Sequence, residues 1–462
     1  MPKTVETINP ANGQKLASYN LNSLEEAIGA AKHAHDAYES NWSLLSVGDR
    51  AGLLKELAKS IRSKKNAYAK IMTEEMGKPI TQSEAEVEKC AWAAEVYANN
   101  SEKWLEDEIA ETDAKKSYVT FEPIGTILSI MPWNFPFWQA LRFAIPTLVA
   151  GNTSILRHSN VCPGSAFAIE ESFRNAGFPE GVFTTVVTDH DTVTKLVESK
   201  WINGVSLTGS SEAGTLVGEV AARNLKKFVL ELGGSDPFIV VDDANVKSAA
   251  EVGVNARLLN SGQSCICAKR FIITQTVAKE FIESFVTEIE RKKVGDPMDP
   301  KTDVGPLCNK NQVETVDSQV KESLSKGAKA LAGATKMDGP GAFYAPTVLS
   351  DVNLGMQVMI DEVFGPVAPL YVVANEEEAI RVANLSEFGL GASLWTTDPL
   401  RAKRLVPRIE SGMVFVNSLV KSDPRMPFGG IKKSGVGREL SKFGLREFVN
   451  IKSVNVYGMD AF

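Results

Sequence analysis

Histidine is scarce in this chain, with four residues in 462, and none stands in an HExxH run or beside cysteines at zinc spacing. That leaves metal-centred hydrolysis and a structural zinc site without support, and no metal ligand is assigned. Cysteine is scarce as well. Cys90, Cys162, Cys265, Cys267 and Cys308 are odd in number and scattered, which is no disulfide framework and suits a reducing, cytoplasmic setting. No apolar run approaches the ~18 residues needed to cross a bilayer, and the opening MPKTVETINP lacks the apolar core of a secretory leader. Nor is there an excess of positive charge. Lys and Arg number 50 against 57 Asp and Glu, a net charge of −7, which argues against a nucleic-acid or anionic-membrane surface because both need clustered cations. A small anionic ligand stays possible, since helix ends and backbone amides bind phosphate locally.

What is present has the texture of a large α/β protein. A chain this long exceeds the size at which one hydrophobic core stops growing, so two domains are expected. Residues 23–110 read as helical: Ser23-Leu24-Glu25-Glu26 fits a capping box, and LLKELAKSI and EAEVEKCAWAAEVYAN keep the helical period. From about 117 the pattern changes. SYVTFEP, GTILSIMP, NTSILR, GVFTTVV, NGVSLT and KFVLEL are short β-prone runs, separated by helical stretches at 165–176 and 211–224. That alternation predicts a parallel, doubly wound sheet. A second series follows 235, with FIVV, a helix over 245–260, KRFIITQ, a helix over 277–292, then APLYVV, GASLWT and GMVFVN. The domain boundary is placed near 234.

The first sheet lacks the GxGxxG turn of common dinucleotide folds. In its place stands VSLTGSSEAG, where Gly209 and Gly214 open a helix; no Lys follows Gly214, so a triphosphate cradle is excluded. Gly209, Ser210 and Ser211 could seat a pyrophosphate on the helix N-terminus, or form a plain strand-to-helix turn. Three further stretches are each bland alone: IMPWNFPFWQALR (130–142), VLELGGS (229–235) and DEVFGPV (361–367). NSGQSCICAKR (260–270) sets two cysteines two residues apart.

Taken together and in order, NPANG, PWNFP, LTGS, ELGG, GQSC, EVFGP and PFGGIKKSGVGRE resemble the aldehyde dehydrogenase family, and they run from residue 9 to 439. The 34-residue interval from Glu231 to Cys265 is also the family's. ELGGSDPF and the RHSN region are most similar to succinate-semialdehyde dehydrogenases. The resemblance implies an α/β, aldehyde-dehydrogenase-like fold of two doubly wound domains plus a small β oligomerisation extension. The dinucleotide-binding domain would take 1–104 and 124–233, the catalytic domain 234–439, and the extension 105–123 and 440–462. A homodimer or homotetramer follows.

The chemistry it implies is NAD(P)-dependent oxidation of an aldehyde to its acid. A carbonyl carbon releases hydride poorly, whereas a thiohemiacetal oxyanion pushes it out and leaves a hydrolysable thioester. Cys265 aligns with the attacking thiol, Asn134 with the side-chain oxyanion donor, and Glu231 with the base that activates water. Cys267 is either a small packing residue or a redox partner; an extended segment would send both sulfurs to one face. For the cofactor, the resemblance carries over to Trp133, Gly209, Ser210, Gly214, Leu232, Glu362 and Phe364. Where many members hold the adenosine ribose with Lys-Pro-x-Glu, this chain has Arg157, His158, Ser159 and Asn160. A missing carboxylate at Asn160 favours NADP, with Arg157 pairing to the 2′-phosphate; the alternative is Arg157 stacked on adenine and NAD bound. Arg142 matches an arginine that holds a semialdehyde's carboxylate, against the alternative of a helix-surface ion pair. A second family arginine is replaced by Leu259, so Ser422, Lys421 or Arg425 is expected to substitute, with Trp138 and Phe428 as apolar walls. Succinate semialdehyde is the expected substrate. The alternatives are another small polar aldehyde such as glyceraldehyde, or an idle scaffold of the same fold.

Overall fold

The computed structural model describes residues 3–458. Its helical layer begins with Leu24–Ser40, where Ser23 Oγ accepts from the Glu26 amide at 3.2 Å and Glu26 accepts from the Ser23 amide at 2.7 Å. Ala27, Ala31 and Ala34, one helical turn apart, are the buried face. Ser46 and Asp49 cap Val47–Ser63 in the same way, and Lys65–Met76 and the 25-residue Ile80–Trp104 follow. The expected helical region therefore stops short of 110, because Glu108–Ala110 is a strand.

Five parallel strands and one short antiparallel one build the first sheet, in the order Gly435–Val436, Lys227–Glu231, Gly204–Thr208, Thr126–Met131, Thr153–His158, Phe183–Val186. Every residue of Thr126–Met131 is buried, as expected of a central parallel strand covered on both faces. The chain runs outward from it to Phe183–Val186, then crosses back to Gly204–Thr208 on its other side. In such sheets ligands sit beyond the carboxyl ends of the strands at this reversal of order. Pro132–Asn134 and Gly209–Ser210 leave the sheet there.

A second sheet of seven strands has the order Lys329–Ala332, Thr347–Ser350, Val367–Val373, Ala268–Thr274, Asp236–Val240, Gly391–Trp395, Met413–Val416, parallel except for its first edge pair. Val449–Val456, Lys116–Pro123 and Glu108–Ala110 form a separate antiparallel sheet. Two features escape a simple division at 234. A hairpin of Thr4–Ile8 with Lys15–Asn20 precedes the first helix, and Gly435–Val436 returns to the first sheet beside Leu230 and Glu231. Among the described residues no helix is long and apolar enough to cross a membrane.

Candidate active site

Glu231 is the last residue of its strand, and Cys265 stands just before Ala268–Thr274 in the other sheet. Gly233 and Gly234 let these edges meet: a Cβ on Gly234 would lie 2.6 Å from the Cys265 carbonyl oxygen, and one on Gly233 would lie 2.6 Å from the Glu362 carboxylate. Ser434 fastens the same link, donating to the Gly233 carbonyl at 2.7 Å and accepting from Gly389 at 3.0 Å.

The approach to Cys265 is a strained turn. Asn260, Ser261 and Gly262 have φ of 52, 56 and 80°, and a left-handed non-glycine costs about 1–3 kcal/mol unless its surroundings impose it. Here they do. Asn260 Nδ2 donates to the Asn134 carbonyl at 2.7 Å, Ser261 to Gly305 at 3.0 Å, and the buried Arg257 guanidinium to Gly262 and Val363, both at 3.0 Å. Lys269 closes the turn from below. Its buried ammonium donates to the carbonyls of Ser264 (2.8 Å) and Cys265 (2.6 Å) and pairs with Glu362 at 2.9 Å.

Asn134 leaves the central strand of the first sheet and lies beside this turn. Its Oδ1 accepts from Gln139 at 3.0 Å and its Nδ2 donates to Gln263 at 3.1 Å, which fixes the amide with the donor side towards the Cys265 turn. Glu231 Oε2 lies 3.4 Å from Arg142, while its buried Oε1 has no hydrogen-bond partner. Burial raises the Glu231 carboxyl to about 7; Arg142 draws it down and Glu439 pushes it up again. Burial also pushes the Cys265 thiol well up, with Glu231 adding to that and Lys269 and Arg142 opposing it.

Two cavities open onto Cys265 and share it and Gln139. One, of about 230 Å³, has Thr208–Ser210 and Leu232–Gly233 as floor, with Trp133 and Phe364 edge-on at 5.9 Å on one wall. The other, of about 280 Å³, is walled by Phe135, Trp138, Leu259, Ile266 and Phe428, with Lys89, Arg142 and Ser422 among its polar groups.

Residues 1–454 match the aldehyde dehydrogenase family. This chain belongs to that family. It is 45% identical over 450 residues to a probable NADP(+) succinate-semialdehyde dehydrogenase of Synechocystis sp., covering 97% of this chain and 99% of that one. The NADP(+) succinate-semialdehyde dehydrogenase of Mycobacterium avium is 41% identical over 453 residues, covering 97% and 96%. A crystal structure of succinic semialdehyde dehydrogenase from Streptococcus pyogenes in complex with NADP+ superposes with a TM-score of 0.96 at 37% identity, covering 98% of this chain and all of that one.

Within this aldehyde dehydrogenase, Trp133, Gly209, Ser210, Leu232, Glu362 and Phe364 all line the first cavity, and Trp138, Arg142, Ser422 and Phe428 the second. Four expectations need correction. Arg142 is neither a free fork nor a surface residue: its helix Pro136–Val149 is buried all round, and its Nη2 sits 2.5 Å from Glu439 as well as near Glu231. Cys265 and Cys267 do not share a face, because the segment turns and Cys267 is fully buried, with its sulfur 3.5 Å from the Leu259 carbonyl. Gly214 serves close packing rather than a phosphate, since a Cβ there would meet Leu232 at 2.5 Å. Arg425 pairs with its neighbour Asp423 at 2.6 Å and does not line the cavity.

Arg157, Ser159 and Asn160 lie on the far side of the central strand, away from Cys265, at the end of Thr153–His158. Arg157 is buried and donates to the Thr188 carbonyl at 3.1 Å, so its fork is partly engaged. Sequence reading missed Lys89, Gln139, Lys269 and Glu439. Three of these stand inside quoted motifs, Gln139 in IMPWNFPFWQALR, Lys269 in CICAKR and Glu439 in VGRE, and their burial is the signal that motif spacing does not carry.

Proposed function

We propose that this chain oxidises succinate semialdehyde to succinate with NADP+. The observation that carries the reading is the junction at Cys265: a cleft lined by Trp133, Phe364 and Glu362 on one side, and on the other an apolar cavity with cationic groups, suited to a short carbon chain with an anionic end. The names of the Synechocystis, Mycobacterium and Streptococcus relatives support the same substrate and cofactor. The first cavity fits the nicotinamide end of such a cofactor. Gly233 leaves free the space a Cβ would fill next to Glu362, and Glu362 is already steadied by Lys269 and by the Gly234 amide at 3.1 Å. Trp133 and Phe364 would flank a bound nicotinamide, and Glu362 would accept from its ribose hydroxyls. Asn160, at the end of its strand, brings no negative charge against a 2′-phosphate.

Cys265 adds its sulfur to the aldehyde carbon, and Glu231, which lines the same cavity, takes the thiol proton, directly or through water. Asn134 Nδ2 and the Cys265 backbone N–H donate to the oxygen of the adduct, one such donor being worth about 10²–10³ in rate. When bound, the nicotinamide accepts the hydride that leaves this carbon, and a thioester on Cys265 remains. Once Glu231 has passed the thiol's proton to solvent, its carboxylate takes a proton from water at Oε1, hydroxide adds to the thioester, and the acid leaves as that proton returns to the Cys265 sulfur. The first 104 residues with 124–233 form the cofactor domain in this reading, 234–439 the catalytic one, and the antiparallel sheet, with Ile109 and Ile451 exposed, the contact between copies in a homodimer or homotetramer.

A matrix of rates tests this, with succinate semialdehyde, glyceraldehyde and hexanal each offered with NADP+ and NAD+. The expected highest kcat/KM is for succinate semialdehyde with NADP+. Equal efficiency on hexanal would overturn the substrate, and equal efficiency with NAD+ the cofactor.

A further inference from the structure

The substrate-side cavity has more than one cation, and they are not equivalent. Arg142 is neutralised, with Nη2 held between Glu439 at 2.5 Å and Glu231 at 3.4 Å. Lys421 is exposed to solvent, where a single ion pair is worth little. Lys89 differs from both. It sits on the third turn of Ile80–Trp104, half-buried, with its ammonium 2.6 Å from Ser422 Oγ and 4.3 Å from the centre of the Trp138 ring. Among the described residues no carboxylate lies within ion-pair distance of it. The obvious candidate, Glu86 one turn earlier, is taken: it pairs with the buried Lys78 and accepts from the amides of Phe137 (3.0 Å) and Trp138 (2.9 Å).

An ammonium has three N–H donors, and Lys89 gives one to Ser422. An ammonium held in an apolar cavity without a counter-charge is unfavourable by several kcal/mol in general, and a ligand carboxylate removes that penalty. We infer that Lys89, rather than Arg142, takes the far carboxylate of the substrate, with Ser422 and the face of Trp138 holding the ammonium in place; this rests on the reading above that the substrate is a semialdehyde with a carboxylate. Arg142 becomes a positioning residue for Glu231. The duty expected of Arg142, holding the carboxylate, thus passes to its neighbour Lys89.

The assignment carries a pH signature. Burial, helped by Arg142 from the adjoining helix, brings the Lys89 ammonium down to about 8, while Cys90 and Glu86 on its own helix and Asp423 on the covering loop oppose the fall. The charged form is present below that value and is lost as pH rises through it. Affinity for an anionic substrate should weaken in the same interval, and affinity for a neutral aldehyde should not.

The test measures KM and kcat for succinate semialdehyde and for butanal, between roughly pH 7 and 9.5, in wild type, Lys89→Met and Lys89→Arg. Methionine keeps the length of the side chain without its charge. It is expected to raise KM for the semialdehyde about 10–150-fold, the range of a charge-assisted hydrogen bond, with a much smaller change in kcat and in the KM of butanal. In wild type the semialdehyde KM should climb through about pH 8, and Lys89→Arg, which stays charged, should abolish that climb. Losses of equal size on both aldehydes, or a climb unchanged in Lys89→Arg, would overturn the assignment. Should Lys89→Met not fold, the arginine variant still decides. A wild type with no preference for the semialdehyde over butanal would instead remove the substrate reading, whereas a preference that survives Lys89→Met intact would remove Lys89 alone.

Discussion

On the cofactor side of Cys265, the carboxylate that faces the cleft already has its counter-charge: Glu362 is paired with Lys269 and bonded to the Gly234 amide. On the substrate side, Lys89 points into the cavity with a hydroxyl and an aromatic face for company. The difference follows from what each side must hold. A cofactor that arrives and leaves unchanged in shape is served by a fixed, internally balanced wall. A substrate selected by its charge is served by a wall that lacks one, because the ligand then completes it.

The largest expected effect removes the group both sides share. Cys265→Ala should lower turnover by at least roughly 10⁴-fold, as loss of a covalent nucleophile does, yet leave NADP+ binding intact by fluorescence titration. Turnover above that level would disconnect both cavities from the chemistry proposed. Glu231→Gln should cost about 10²–10⁴ in steady turnover. Rapid mixing should still show a burst of NADPH, slowed because the buried thiol has lost its proton acceptor; a burst at the wild-type rate would mean that Glu231 serves water alone. The wild-type steady rate should also fall as pH drops through about 7, where the Glu231 carboxylate takes up its proton, and this acid limb should be absent from the variant.

Breaking the balanced wall comes next. Lys269→Met leaves Glu362 unpaired and frees the carbonyls of Ser264 and Cys265, so KM for NADP+ should rise roughly tenfold, the worth of one charge-assisted bond. The same change on succinate semialdehyde KM should be smaller. If the two constants rise together, the sides are not independently built. The smallest effect is expected from Cys267→Ala, which empties a small buried site near Leu259. Stability should fall by about 1 kcal/mol and turnover should stay within about twofold. Loss of activity comparable to Cys265→Ala would put the reacting sulfur at the wrong position.

Much of this was readable in the chain. Most strands of both sheets and the cap at Ser23 follow from local pattern, because they depend on neighbours two to four residues away; Lys329–Ala332, Thr347–Ser350 and Gly435–Val436 escape it. Glu231, Cys265 and Asn134 are legible for another reason: each stands in a short run whose glycines or prolines the backbone needs. Lys89 is the opposite case. EVEKC shows only a helical period, and what covers Lys89 is a loop 333 residues later, through its bond to Ser422. Glu439 reaches Arg142 in the same long-range manner. PWNFPFWQALR points to Arg142 itself, but nothing near it in sequence shows the two carboxylates, Glu231 and Glu439, that its guanidinium meets. Cys267 is buried as a small packing residue would be; what local pattern could not show is the turn that parts it from Cys265, since the left-handed run at 260–262 cannot be inferred from residues of which two are not glycine.

The short pairing of Gly435–Val436 with Leu230 and Glu231 bears on synthesis as well as on catalysis. The strand that carries Glu231 is the border of its sheet until that pairing forms. On the ribosome, about 200 further residues must emerge first, which takes roughly 10–40 s at ordinary elongation rates. Through that interval Lys227–Glu231 offers unpaired backbone groups to any other nascent chain, and a lysine at its start is one of the devices that discourage such pairing. The edge beside Glu231 is therefore covered only when nearly the whole chain has been made, and a chain interrupted before residue 435 would be left with that border open.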